Sequence, residues 1–327
     1  MVSEANPRRD FIPSAQEGGE STTTVIIAFG ANLVIAVAKS IVAVITGSAS
    51  LVAEAAHSWA DTGNEVLLLV AGNRSRRPPD RRRPLGYGRE SYVWSMFAAM
   101  GLFVAGAVLS IMHGISGLQH PEEATDFLLG YIVLAVAVVF EGTSLIQSLR
   151  QARAEARLLQ RDLVDHVIRT SDPTLRAVVF EDSAAIIGIV IAALALGIHQ
   201  ITGSSVPDAI GSILIGLLLG VIAIVLIQRN RMFLVGEVAD SRVRIAVLEA
   251  LLDDDDVERV TYLRLDVVGP RMLYVIGDVD LAGDATEHSV AARLRAVEDR
   301  LRTSPVVVDA VLSLSGADEP SLVPPGR

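Results

Sequence analysis

Four polar residues interrupt one apolar block at spacings of three, four and four: Glu54, His57, Asp61 and Glu65. On a helix those spacings put all four on one face. His57 and Asp61, one turn apart, bring an imidazole and a carboxylate to the same spot, which is ligand chemistry for a divalent cation. Asp182, from another apolar block, can add a third ligand. Tetrahedral nitrogen and oxygen coordination suits Zn²⁺, and carboxylate-rich sites also suit Mn²⁺ or Fe²⁺. The same residues equally fit a proton site or an interhelical hydrogen-bond cluster, and spacing does not choose among these.

A charged group at the centre of a membrane helix costs at least about 2.5–3.5 kcal/mol, so every such residue is a functional candidate. Lys39, Glu141, Glu181 and Asp208 complete the set. Glu141 falls near one end of its block. Glu65 is expected to pair with Lys39, and Glu54 to lie near the outer interface. His113 reads as a hydrogen-bonded packing residue. His120, Glu122, Glu123 and Asp126 read as a solvated acidic loop.

The elements that must position these groups are long. A bilayer core about 30 Å thick needs roughly 20 apolar residues per helix. Six blocks reach that length: Thr23–Ile45, Leu51–Gly72, Tyr92–Leu118, Phe127–Gln147, Arg176–His199 and Pro207–Ile227. Small residues recur in them, as close helix packing in lipid requires. The connection between blocks two and three carries Arg74, Arg76, Arg77, Arg81, Arg82, Arg83 and Arg89. The connection between blocks four and five carries Arg150, Arg153, Arg157, Arg161 and Arg169. The three opposite connections hold no lysine or arginine. Both termini are therefore expected in the cytoplasm. Residues 1–21 read as a disordered, uncleaved tail and 22–228 as the transmembrane domain.

Residues 229–317 read as a small soluble domain. Val243, Val247, Ala250 and Leu251 form a helical stripe, and Leu263, Leu265 and Val267 alternate with polar residues as in a strand. A second strand follows the Gly269-Pro270 turn, then an amphipathic helix through Val290, Leu294, Val297 and Leu301, then a β run over Val306–Leu314. The order αββαβ predicts helices on one face of a three-stranded sheet. Asp253–Asp256 reads as a solvated helix end, and 318–327 as a flexible tail. From Arg229 onward there are 18 acidic residues against 12 arginines.

Composition narrows the function. The 327 residues are 51% hydrophobic and 20% charged, with mean hydropathy +0.45, net charge −10 and no cysteine. A soluble enzyme is disfavoured. Disulfides, iron–sulfur clusters and thiolate metal sites are excluded. The acidic balance argues against nucleic acid as a partner.

One long segment is similar to a known signature. Gly47-Ser48-Ala49-Ser50-Leu51-Val52-Ala53-Glu54-Ala55-Ala56-His57-Ser58-Trp59-Ala60-Asp61, with Asn64 after it, resembles the second span of the cation diffusion facilitators. Pro84-Leu85-Gly86-Tyr87-Gly88-Arg89-Glu90 resembles the segment that follows in that family. Pro207-Asp208-Ala209-Ile210 resembles the start of its sixth span, and the αββαβ tail its cytoplasmic domain. The resemblance implies a homodimeric exporter of divalent metal, mainly Zn²⁺ with Mn²⁺, Fe²⁺ or Co²⁺ in some branches, exchanged for protons. It also implies a transport site of two residues from each of spans two and five. His57, Asp61 and Asp182 match that site. Val178 stands where many members have His or Asp, and Glu181 or water is left to complete the set.

The soluble domain has one histidine, His288, beside Asp278 and Asp280, so an additional metal cluster there is not expected. The domain reads as a dimerisation module. The function expected is proton-coupled metal efflux by alternating access, in the cytoplasmic membrane, with metal, protons, anionic lipid and a second copy as partners and no catalytic cofactor. The alternatives are an intramembrane metal-dependent enzyme and a metal sensor that does not transport.

Overall fold

The computed structural model describes residues 22–121, 125–283 and 286–324. Six long helical segments make a bundle. They are α1 (Thr22–Thr46), α2 (Ala49–Ser75), α3 (Glu90–Gly101) continued through a π-helical segment (Leu102–Val108) into α4 (Leu109–Gln119), α5 (Phe127–Leu158), α7 (Pro173–Thr202) and α8 (Val206–Val235). A short helix, α6 (Leu163–Arg169), joins α5 to α7. Among the described residues five of the six are long and apolar enough to cross a membrane. The exception is α2, which is 27 residues long but carries Glu54, Asp61 and Glu65 in its middle.

Local chemistry sets the ends of these helices. Gly47 takes φ +67° in the two-residue link between α1 and α2, a conformation that costs glycine little. The Ser48 hydroxyl then accepts from the Leu51 amide as the N-cap of α2. Asp172 caps α7 by accepting from Thr174 and Leu175, with Pro173 in the first turn. Small residues let α4 and α8 touch through their backbones. A methyl group at Gly114 would meet the Ala209 carbonyl at 2.7 Å, and one at Gly216 the Ala107 carbonyl at 2.8 Å. The third segment is thus not the uninterrupted α-helix its composition predicts. Its π-helical stretch includes Gly106 and Ala107, which lie directly on α8.

Two helices outrun their apolar blocks. α5 continues to Leu158, which puts Glu141 at mid-helix rather than near an end. α8 continues to Val235. The soluble unit follows as α9 (Ser241–Leu252), β1 (Val257–Gly269), β2 (Met272–Leu281), α10 (Glu287–Arg302) and β3 (Val307–Leu314). The αββαβ order is as expected. β2 is central, antiparallel to β1 and parallel to β3. Val260, Leu263, Leu265, Val275, Val279, Ala310 and Leu312 form its core with Leu248, Leu251 and Val297 from the helices.

That core does not stop at the domain edge. Tyr92 of α3 and Phe233 of α8 belong to it, their rings stacked at 5.0 Å. The β1–β2 turn docks on the arginine-rich end of the bundle. A side chain at Gly88 would strike the Val268 carbonyl and Gly269. Arg271, with φ +56°, donates to Glu155 of α5 at 2.6 Å and lies 3.3 Å from Asp172.

One expectation for the soluble domain is corrected. Asp254 and Asp256 are not merely solvated: Arg300 contacts both at 2.6–2.7 Å, and Arg293 donates to Asp256 at 2.8 Å. Residues 315–324, after β3, lie against β1. The Leu322 amide donates to the Val260 carbonyl at 2.7 Å, and Glu319 accepts from Thr261. The expected N-terminal tail, Glu122 and Glu123 lie outside the described residues.

Candidate metal centre

α2 is the axis of the site, because its polar face, with Glu54, His57 and Asn64, is buried inside the bundle. His57 is fully buried, and its Nε2 lies 3.4 Å from Asp61 Oδ2. That is too long for a strong hydrogen bond. Both ring nitrogens of His57, Asp61 Oδ1 and Asp182 Oδ2 are buried without a hydrogen-bond partner. Buried polar atoms normally find a partner in a neighbouring group, a water or an ion, and these four share one region between α2 and α7. Each can act as a metal ligand, His57 through one neutral nitrogen and the aspartates through carboxylate oxygens.

α7 supplies the facing residues. The His57 ring approaches the backbone of Glu181, and Asp61 feels the charges of both Glu181 and Asp182. Glu181 accepts a hydrogen bond from Asn64 Nδ2. Asp182 is hydrogen-bonded by Ser144 of α5. The expected four residues therefore lie on facing helices but do not close on one point. Among the described residues no three His, Asp or Glu groups are gathered tightly enough to hold an ion. In this arrangement Glu181 is engaged with Asn64, while Asp182 keeps one oxygen unspent.

Several partners differ from the sequence reading. Lys39 pairs with Glu54 at 2.9 Å, not with Glu65. Both Lys39 and Glu54 are fully buried, so Glu54 is no interfacial group. Glu65 accepts from Asn32 of α1 at 2.7 Å instead. The reason is register: α1 and α2 run antiparallel, so the residue of α2 level with Lys39 is one near its start. His113 is exposed, rather than a buried packing residue, and lines a shallow pocket with His120 and Asp208.

Asp208 anchors the opposite end of the bundle. It accepts from the Ser48 hydroxyl at 2.9 Å, the Ala49 amide at 2.5 Å and the Ser50 hydroxyl. A carboxylate from α8 thus caps the first turn of α2, where the helix dipole favours negative charge. Arg176 stands at the edge of its apolar block, and nothing in the local sequence singles it out. It is fully buried, donates to the Thr170 carbonyl at 2.8 Å and to Asn230 Oδ1 at 2.6 Å, and lies over the Phe233 ring. Asn64 was readable: it stands seven residues after His57, on the same helix face.

In the soluble domain Asp278 accepts from the Ser313 hydroxyl and Asp280 from Arg259, while His288 is exposed.

Comparison with known proteins places this architecture. Residues 25–234 match the cation efflux transmembrane domain. Metal tolerance protein C4 of Arabidopsis thaliana is 36% identical over 233 residues, covering 71% of this chain and 51% of that protein. The mitochondrial proton-coupled zinc antiporter of Xenopus laevis is 34% identical over 246 residues, covering 75% of this chain and 44% of that protein. Magnetosome protein MamB of Magnetospira sp. is 25% identical over 277 residues, covering 80% of this chain and 87% of that protein. The chain spans about half the length of the first two relatives. The resemblance carried by the Gly47–Asp61 segment is thereby borne out: the chain is a multi-pass membrane protein of the cation efflux family.

Proposed function

We propose that this chain exports a divalent transition-metal cation, Zn²⁺ foremost, with Mn²⁺, Fe²⁺ and Co²⁺ as the other cargoes its ligands suit, in exchange for protons. The observation that carries the proposal is the set of unspent buried atoms on His57, Asp61 and Asp182. Metal binds these groups when they are deprotonated. Glu181, released from Asn64, completes the site as α2 and α7 close. Protons compete for the same lone pairs on the far side and return the site empty. The relatives named as zinc antiporters support both the cargo and the coupling. The soluble domain serves as the homodimerisation module.

The sidedness follows the positive-inside rule. The soluble domain docks on the end of the bundle that carries Gly88 and Arg89, so domain and arginine-rich connections share a side. We place that side in the cytoplasm and the protein in the cytoplasmic membrane.

The test is zinc-driven proton flux in proteoliposomes. Asp61→Ala and Asp182→Ala should each abolish it. Unchanged flux in both variants would overturn the assignment of the site.

A further inference from the structure

The polar face of α2 forms a ladder, and its rungs differ in exposure. At the start of the helix Ser48 and Ser50 are tied to Asp208. Next comes Glu54, then His57, then Asp61. Glu54 and Lys39 have no exposed side-chain surface, and His57 has 1%, but Asp61 has 15%. The ladder is therefore sealed at Glu54 and opens toward the arginine-rich end.

Glu54 is only half satisfied. Its Oε2 accepts from Lys39 Nζ at 2.9 Å, while its Oε1 is buried without a partner. That oxygen sits against Gly188 of α7, where any side chain would strike it. Lys39 is the only lysine in the chain. Buried pairs of this kind are poor stabilisers, because an apolar pair of the same volume does as well or better. An unmatched oxygen makes this one worse. Structure alone gives the pair no reason to be there.

We propose that Glu54 is the next cation ligand on the way from His57 toward the Asp208 end, and that Lys39 is a tethered cation that occupies Glu54 when no cargo is present. The inference rests on the reading of His57 and Asp61 as cargo ligands. Glu54 lies three residues from His57 on the same face, about 4.5 Å along the axis at 1.5 Å per residue. Oε1 itself takes up the space that a side chain at Gly188 would need. The Lys39 ammonium also acts on Asp61, His57 and Glu141. A divalent cation arriving at His57 and Asp61 repels that ammonium, and its flexible four-carbon stem lets it swing off Glu54. Lys39 cannot leave with the cargo, so it closes the path again behind it.

The test uses the full chain in proteoliposomes, with Zn²⁺ alone as probe. Zinc binding is measured by equilibrium dialysis, and zinc and proton flux by entrapped dyes. Lys39→Met/Glu54→Gln removes both charges at nearly constant volume, so it keeps the helix contacts. We expect it to bind Zn²⁺ within about threefold of the parent and to transport it at least about tenfold more slowly, a barrier increase of about 1.4 kcal/mol. Gly188→Ala, whose methyl group would displace Oε1 while leaving both charges, should show the same split. Lys39→Met alone should pass protons without zinc.

Transport at the parent rate by the double variant or by Gly188→Ala would overturn the proposal. So would loss of zinc binding in the double variant, which would make the pair part of the resting site. Parental binding and transport in Asp61→Ala would instead overturn the underlying reading of the site.

Discussion

Asn64 on α2 donates its side-chain amide to Glu181 on α7, and so holds the two site-bearing helices together. Glu181 and Asp182 are adjacent, and neighbouring positions on a helix differ by about 100° in direction. One helix therefore presents two carboxylates with different assignments: Asp182 with an oxygen unspent, Glu181 committed to a neighbour. Asp182→Asn should reduce zinc transport at least about 100-fold, while Glu181→Gln should reduce it about tenfold or less, with each factor of ten worth about 1.4 kcal/mol. Initial rates of zinc uptake into vesicles check the order. Equal losses would place Glu181 in the resting site.

Removing the Asn64 amide should free Glu181. Asn64→Leu is expected to raise zinc affinity or leave it unchanged, while lowering thermal stability by about 1 kcal/mol for the lost buried hydrogen bond. Equilibrium dialysis and thermal unfolding in detergent separate the two effects.

Asp208 caps a helix to which it does not belong. Asp208→Ala should destabilise the fold by about 2 kcal/mol or more, because it strips acceptors from Ser48, Ser50 and the Ala49 amide in a buried place. Asp208→Asn should recover part of this, since one carbonyl oxygen remains. The measurement is the unfolding midpoint of each variant against the parent.

Arg176 holds the end of α7 against α8. Replacing it by Met leaves the Thr170 carbonyl and Asn230 Oδ1 without a donor, at about 1–3 kcal/mol each. Arg176→Lys should not restore stability, because an ammonium cannot span both acceptors with the planar fork of guanidinium. A Lys variant as stable as the parent would show that charge alone matters there.

The soluble domain has an acid-sensitive clasp. Arg293 and Arg300 hold the Asp256 carboxyl below the usual carboxylate range. A depressed carboxylate contributes stability above its unfolded-state value and loses it as pH falls through the folded one. Unfolding of the domain should therefore become easier below about pH 4. Arg300→Ala should remove part of that dependence and cost less than about 1 kcal/mol at neutral pH, as expected for pairs near water. Hydrogen exchange of β1 and β2 against pH reads both.

The spans, the polar face of α2, the αββαβ order and the basic connections were all legible in one dimension. Each depends only on composition or on a period of two or 3.6 residues, and both are local properties. His57 and Asp61 could be singled out for the same reason. Partner choice was not legible. Lys39 meets Glu54 and leaves Glu65 to Asn32 because the vertical register of α1 on α2 sets which side chains share a level. Asp208 reaches the start of α2, and Arg176 reaches Asn230, across 159 and 54 residues of chain. The sequence determined which groups are too costly to bury without purpose. Only the packed bundle decided which of them neutralise each other and which, on His57, Asp61, Asp182 and Glu54, are left with lone pairs to spend, because that depends on how helices distant in the chain are brought side by side.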